Sequence, residues 1–392
     1  MLSNRSKKIK AQPMFDIMED AKILESQGRV IAHLEIGDSS SFENVQLHNL
    51  VKKNLADADS LQYSPSEGES RLREAFIFHY SILCNHEFTK EEVVVTPANA
   101  AVSQLFDVLA DEGDHVLIPD PGFPTYSLAA VHTNIEPVYY KLEEKNNFQL
   151  NLDEIFSLIE SDPQIKLFVL NSPSNPLGIF HNLSDIDKLV RFCKEKDIYV
   201  IWDDTYRNLI YKDKLKRTVR HQDNIFYIYS LSKDMAAPAL RIGCVIGERM
   251  AIKKIANHNS LFYSCLPKFI QLAAADYLFE DQRPYRKSLR NKMIDRIEKV
   301  VNILRSAPNI TYIEPNSGIY FFLNISQSNL NGEKFANKLL EDCGVCVCPG
   351  INFGSSGKEY IRICISGECK VLYESIEKIV VFFNNLVSVN NE

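Results

Sequence analysis

Five short apolar runs recur through the middle of the chain: "HVLIPD", "IKLFVLNSP", "IYVIWDDTY", "IFYIYSLSK" and "RIGCVIG". Each is nearly continuous in apolar character and stops at polar or turn residues, the pattern of strands buried on both faces. Helix-like stretches lie among them. The clearest is "SDIDKLVRFCKEKD", where Ile186, Leu189, Val190 and Cys193 fall on one face at i, i+3, i+4 and i+7. Ser184 is predicted to cap this helix, with Asp187 at the capping-box position. Such alternation argues for an α/β fold whose sheet is mainly parallel and covered by helices on both faces. In sheets of that kind ligands bind beyond the carboxyl ends of the strands.

At 392 residues the chain exceeds the size at which one core stops growing, so two domains are expected. The strand-helix alternation ends near residue 282. A helix from about Tyr285 to Leu304 follows, then "GIYFFLNI", a helix around Glu333 to Leu340, "VCVCPG", "YIRICIS" and a final amphipathic helix. These read as a smaller α+β domain of residues 283–392, joined by 1–45 because "VIAHLEIGDSS" has strand character; residues 46–282 form the large domain.

The formal charge is −7, from 44 Lys plus Arg against 51 Asp plus Glu, so no basic excess points to nucleic acid. The basic cluster Arg5, Lys7, Lys8 and Lys10 is expected to be a solvated end, since no apolar targeting core follows it. No apolar run reaches the ~18 residues of a membrane span. A soluble, cytoplasmic protein with small-molecule partners and no membrane association is expected. Nine cysteines without a signal peptide read as reduced thiols. In "CGVCVCPG", Cys343 and Cys346 form a CxxC, but no second CxxC and no nearby histidine completes a tetrahedral set, so a small-residue strand beside a Pro-Gly turn is expected and no metal.

Polar residues cluster where the central strands end. Asn171 and Asn175 follow "LFVLN", Asp203 and Tyr206 follow "YVIW", and Ser230 to Lys233 follow "FYIY". In "YSLSKDMAAPALRIG" a lysine stands behind two serines with Arg241 eight positions on. This is either an ordinary polar edge or a nucleophilic amine with an anion held beside it. Pyridoxal phosphate chemistry has a parts list that these residues meet: a lysine for the Schiff base, an acid for the pyridine nitrogen, donors for the phenolic oxygen, a phosphate cradle and a ring stacker.

Taken in order from about residue 30 to about residue 367, the motifs resemble those of the fold-type I pyridoxal phosphate enzymes, specifically the class I/II aminotransferases of the aspartate and aromatic type. The resemblance implies a large domain with a mainly parallel sheet of the seven-stranded type. It also implies a homodimer acting on an amino acid and a 2-oxo acid. In "LEIGDSS", Gly37 would face the substrate carboxylate, and in "YSPSEGESRLREA", Tyr63 would reach the partner's cofactor phosphate. In "VTPANAAVSQLF" the amides of Ala98, Asn99 and Ala100 would cradle phosphate at a helix N-terminus, with Ala98 replacing the usual glycine. Phe123 of "PDPGFPTY" would stack on the ring, and Asn175 of "NSPSNPLG" would donate to the phenolic oxygen and face the substrate. In "DDTYRNLIY", Asp203 would pair with the pyridine nitrogen, Thr205 would pack under the ring and Tyr206 would bond the phenolic oxygen, while Asp204 would face outward. Lys233 would carry the cofactor and move the substrate proton, Ser230 and Arg241 would grip the phosphate, and Arg362 of "EYIRICIS" would clamp the α-carboxylate.

The same parts serve amino-acid lyases and cyclases, because the cofactor carries the chemistry. The segments facing substrate depart most from the family pattern: "GDSSSF" lacks the usual Pro-Asp, and Leu177 replaces a threonine. Two other classes compete. A cofactor-binding regulator would keep the fold without turnover. "SLSK" also satisfies the Ser-x-x-Lys of certain hydrolases, with Ser230 as acyl acceptor, but the Ser-Asp-Asn and Lys-Thr-Gly tripeptides of those enzymes are absent.

Overall fold

A computed structural model describes residues 6–8, 10–39, 41–211 and 220–389. Its strands are β1 (Ala32–His33), β2 (Val93–Val95), β3 (His115–Asp120), β4 (Glu136–Lys141), β5 (Ile165–Asn171), β6 (Tyr199–Asp203), β7 (Ile225–Ser230), β8 (Gly243–Ile246), β9 (Tyr320–Asn324), β10 (Val345–Cys346), β11 (Cys348–Pro349) and β12 (Tyr360–Cys364).

Seven of them form one sheet in the order β2-β8-β7-β6-β5-β3-β4. All neighbours from β7 to β4 are parallel, while β8 runs antiparallel to both β7 and β2. The sequence of β7 explains its central place. Every residue from Ile225 to Ser230 is buried, and alternate side chains enter different cores: Ile225, Tyr227 and Tyr229 on one face, Phe226 and Ile228 on the other. Each such apolar side chain contributes about 1.5–3 kcal/mol on burial. No side of this strand can face water, which fixes its register.

The helix predicted near residue 184 spans Leu183–Glu195 and buries Ile186, Leu189, Val190 and Cys193 as its spacing requires. Its start differs from expectation. Asn182 is the N-cap residue, and its carbonyl accepts from the amides of Asp185 and Ile186. The Gln149 side chain holds the Asn182 amide at 2.9 Å, so a tertiary contact sets the start upstream of Ser184. Asp187, freed from capping, pairs with Arg191 at 2.8 Å.

Beyond this sheet, β11, β12 and β9 make a smaller antiparallel sheet, packed by helices Arg283–Leu304, Gly332–Cys343 and Cys369–Val389. The N-terminal segment joins it: Ile17, Ala21, Ile31 and Leu34 share a core with Leu339, Val345 and Ile363. The strand expected in "VIAHLEIGDSS" is reduced to β1, which pairs in parallel with β10, His33 opposite Cys346. Among the described residues no helix is long and apolar enough to cross a membrane.

Candidate active site

The sheet order carries the carboxyl ends of β3, β5, β6 and β7 to one edge, and the doubly reversed β2 arrives there too. Against this edge lies a cavity of about 170 Å³, closed on the other side by Gly37, Tyr320 and Arg362 from the smaller sheet and its neighbours. Ala98, Asn99, Phe123, Asn175, Asp203, Thr205, Tyr206, Ser230, Lys233 and Arg241 all line it.

From β2 the chain turns through Pro97 into the helix Ala98–Leu109. The first amides of an α-helix have no partner within it, so those of Ala98 and Asn99 are placed to bind an anion. The Ala100 amide is spent instead on the Pro97 carbonyl at 2.9 Å, and Ala100 does not line the cavity, so the expected three-amide cradle is reduced to two. β8 crosses close beneath this turn. A Cβ on Gly243 would lie 2.5 Å from the Tyr229 carbonyl oxygen and 3.3 Å from the Ala98 nitrogen, so only glycine lets strand and helix start meet there.

At the end of β5, the Asn171 carboxamide accepts from the Asn175 amide at 2.8 Å and donates to the Pro173 carbonyl at 3.2 Å. That staple sets Asn175, whose Oδ1 accepts from Arg362 Nη1 at 3.0 Å and whose amide nitrogen remains to donate into the cavity. At the end of β6, Asp203 Oδ2 accepts from the Tyr126 hydroxyl at 2.7 Å and Oδ1 from the Thr205 amide at 3.1 Å. Burial pushes the Asp203 carboxyl up from its ordinary range, and these donors oppose the shift. Tyr206 donates to the Tyr320 hydroxyl at 3.1 Å. Asp204, expected to face outward, is fully buried on the other face, where it accepts from Arg207 Nε at 2.7 Å and Tyr80 at 3.0 Å. The strand alternation was read correctly there, but both faces of this sheet are core.

Past β7, Ser230 caps the short helix Leu231–Asp234, its hydroxyl accepting from the Ser232 amide at 3.2 Å. Lys233 Nζ donates to the Gly37 carbonyl at 2.6 Å, not to the Ser230 hydroxyl. That geometry does not build a serine acyl acceptor activated by lysine. Burial, with the nearby Arg362 and Arg241 cations adding to it, brings the Lys233 amine down to about 8. Arg241 has φ 57° and bonds the Pro238 carbonyl at 2.7 Å, an exposed guanidinium at the cavity edge. Phe123 meets Tyr126 edge-on at 6.0 Å between ring centroids.

Arg362 is 1 % exposed, donates to the Glu35 carbonyl as well as to Asn175, and lies 4.2 Å from the Tyr320 ring centroid. Its Nε is a buried donor with no partner among the described residues. Gly37 is required by the same packing, since a Cβ there would lie 1.9 Å from the Tyr320 hydroxyl. Its carbonyl serves Lys233 rather than a ligand. Tyr63 is 85 % exposed and does not line this chain's cavity.

Sequence reasoning missed Tyr126, Tyr320 and Ser232, which line the cavity, and gave Asn171 no role. Tyr126 was findable, since it closes the same segment "PDPGFPTY" that holds Phe123. Tyr320 was hidden inside the apolar run "GIYFF".

The chain matches the aminotransferase class I and II family over residues 30–379. It is 28% identical over 375 residues to an aspartate aminotransferase of Pyrococcus horikoshii, covering 95% of this chain and 94% of that one. A (5-formylfuran-3-yl)methyl phosphate transaminase of Methanocaldococcus jannaschii is 29% identical over 391 residues, covering 98% of this chain and 100% of that protein. The solved structure of aspartate aminotransferase from Thermus thermophilus with maleate shares the fold, with a TM-score of 0.91 at 23% identity over 97% of this chain and 99% of that one. Fold and site together define a fold-type I transaminase. The chain belongs to the class I and II aminotransferases, an enzyme family that moves amino groups between amino acids and 2-oxo acids.

Proposed function

We propose that this aminotransferase uses pyridoxal 5'-phosphate held on Lys233 and takes amino acids whose α-carboxylate is bound by Arg362. The observation that carries the reading is Arg362 itself: a buried guanidinium, its Nε without a partner among the described residues, in the same cavity as Lys233 and Asp203. The residues fit the cofactor. The Ala98 and Asn99 amides, the Ser230 hydroxyl and the Arg241 guanidinium form a phosphate end, and the buried Asp203 carboxylate suits a protonated pyridine nitrogen. When bound, the cofactor supplies the electron sink for removing a proton from the substrate's Cα.

The chain's own groups do the rest. Arg362 and Asn175 orient the carboxylate, which fixes the Cα–H bond toward Lys233. Lys233 Nζ, with its affinity for protons reduced by burial, accepts that proton near neutral pH and can return it. The donors Tyr126 and Thr205 hold the Asp203 carboxyl in place, the Asn175 carboxamide nitrogen offers a hydrogen bond where the phenolic oxygen would lie, and the Tyr206 hydroxyl would offer another on turning from Tyr320.

In this reading the active unit is a homodimer, with the exposed Tyr63 completing the partner's phosphate site. The large unit is 46–282 and the smaller one 1–45 with 283–392. The nine free cysteines support a cytoplasmic setting. The test is a scan of single amino acids against the full-length protein with pyridoxal phosphate. Loss of the cofactor's visible band with release of the matching 2-oxo acid is expected. Release of ammonia without a 2-oxo acid product of transfer would overturn the reading in favour of a lyase.

A further inference from the structure

Outside the active site, the parallel pairing of β1 with β10 sets His33 opposite Cys346. Glu35, two residues along the same chain, is 1 % exposed. One donor atom from each of His33, Glu35 and Cys346 lies within 4.8 Å of the others. We propose that these three residues form a binding site for a divalent, borderline-soft cation of the zinc type.

The carboxylate is the independent sign of a ligand. Glu35 Oε1 accepts from His33 Nδ1 at 2.8 Å, whereas Oε2 is buried with no hydrogen-bond partner among the described residues. The Cys346 sulfur lies 3.7 Å from the Ile17 carbonyl and also faces the Glu35 carboxylate; burial and that carboxylate push the thiol up, so the two prospective ligands already converge. Buried carboxylate oxygens are ordinarily satisfied, and a cation is a partner that this one can take. Imidazole, carboxylate and thiolate together suit zinc and exclude the hard cations, which take oxygen alone. Thiolate and carboxylate supply two negative charges, which neutralise a divalent ion in a buried place. Tetrahedral bonds of about 2.0–2.3 Å require donors about 3.5 Å apart, so the three side chains close inward by roughly 1 Å on binding.

The surroundings are arranged as metal sites are. His33 Nε2 faces Glu25 Oε1 at 3.2 Å, so with the ion on Nδ1 the other nitrogen keeps its proton and its carboxylate partner. Binding releases the thiol proton and the Nδ1 proton to solvent. His33 is the one partly exposed ligand and gives the ion its entry. The ion would lock β1 to β10. That matters because the Glu35 carbonyl holds Arg362 and the Gly37 carbonyl holds Lys233. The site itself does not depend on the functional reading; only an effect on turnover would.

The test uses full-length protein freed of metal with a chelator, titrated with Zn²⁺ by calorimetry and with Co²⁺ by absorption. One ion per chain is expected, with a thiolate-to-cobalt charge-transfer band and d–d bands of a four-coordinate ion. Cys346→Ser and Glu35→Gln should lose both bands, whereas Cys343→Ser and Cys369→Ser should keep them. Should the buried variants fail to fold, the exposed Glu25→Gln is expected to weaken binding about 10–100-fold. No saturable binding, or binding unchanged in Glu25→Gln and, where they fold, in Cys346→Ser and Glu35→Gln, would overturn the proposal.

Discussion

Lys233 is a buried amine whose proton affinity is set by its surroundings. Burial disfavours the charged form, bringing it down to about 8 from the ordinary lysine value of 10.5. Only the neutral amine attacks an aldehyde, so uptake of pyridoxal phosphate by cofactor-free protein should accelerate with pH. The rate is expected to rise about tenfold per unit up to pH about 8 and to level off above it. Stopped-flow absorption checks this, and a surface lysine would instead keep accelerating toward pH 10.5. Lys233→Ala should abolish the fast uptake and turnover together. Asp203, Asn175 and Lys233, which line the cavity, were legible as polar groups at or just past strand ends, whereas Arg362, in the middle of β12, was named only through the motif resemblance. Arg362's partners were not: its bonds to Asn175 and Glu35 join residues 187 and 327 positions apart, which no local pattern encodes.

At the scale of elements, the catalytic edge depends on backbones meeting closely, and Gly243 is the tightest such meeting in the phosphate region. Gly243→Ala places a methyl 2.5 Å from the Tyr229 carbonyl, and strand or helix must move to admit it. Overpacking of this kind costs about 1–3 kcal/mol. A lower urea midpoint and weaker binding of pyridoxal phosphate are expected, because the displaced element carries the Ala98 and Asn99 amides. Unchanged cofactor affinity in a folded variant would separate the cradle from that helix start. Most strands of the large sheet were plain in the sequence, since β3, β5, β6, β7 and the antiparallel β8 are largely buried and leave nearly unbroken apolar runs, whereas the half-exposed edge strand β4 leaves none. Helix ends were less plain. Asn182 displaced Ser184 as the cap residue through Gln149, a residue 33 positions away, and local propensity could not register that contact.

For the whole molecule the decisive residue is Tyr63, an aromatic side chain 85 % exposed on a chain whose other cavity residues are gathered in one place. Large exposed side chains nearby in sequence or contact, Leu61 and, across the Ser64 to Cys265 hydrogen bond, Leu261 and Phe262, give that region an apolar surface. If a two-fold pairs this surface with a second copy, each cavity takes its tyrosine from the other chain. Complementation then discriminates sharply. Tyr63→Ala and Lys233→Ala each damage both sites of their own homodimer. A mixed dimer contains one site with both lesions and one site with neither, because the intact Lys233 of one chain meets the intact Tyr63 of the other. Equal mixing after dissociation makes half of the dimers mixed and should restore about a quarter of wild-type sites. Activity would appear from two nearly inactive preparations and depend on subunit exchange. A tyrosine that served its own chain's cavity would give no recovery, since every chain in the mixture would lack one of the two groups its site needs.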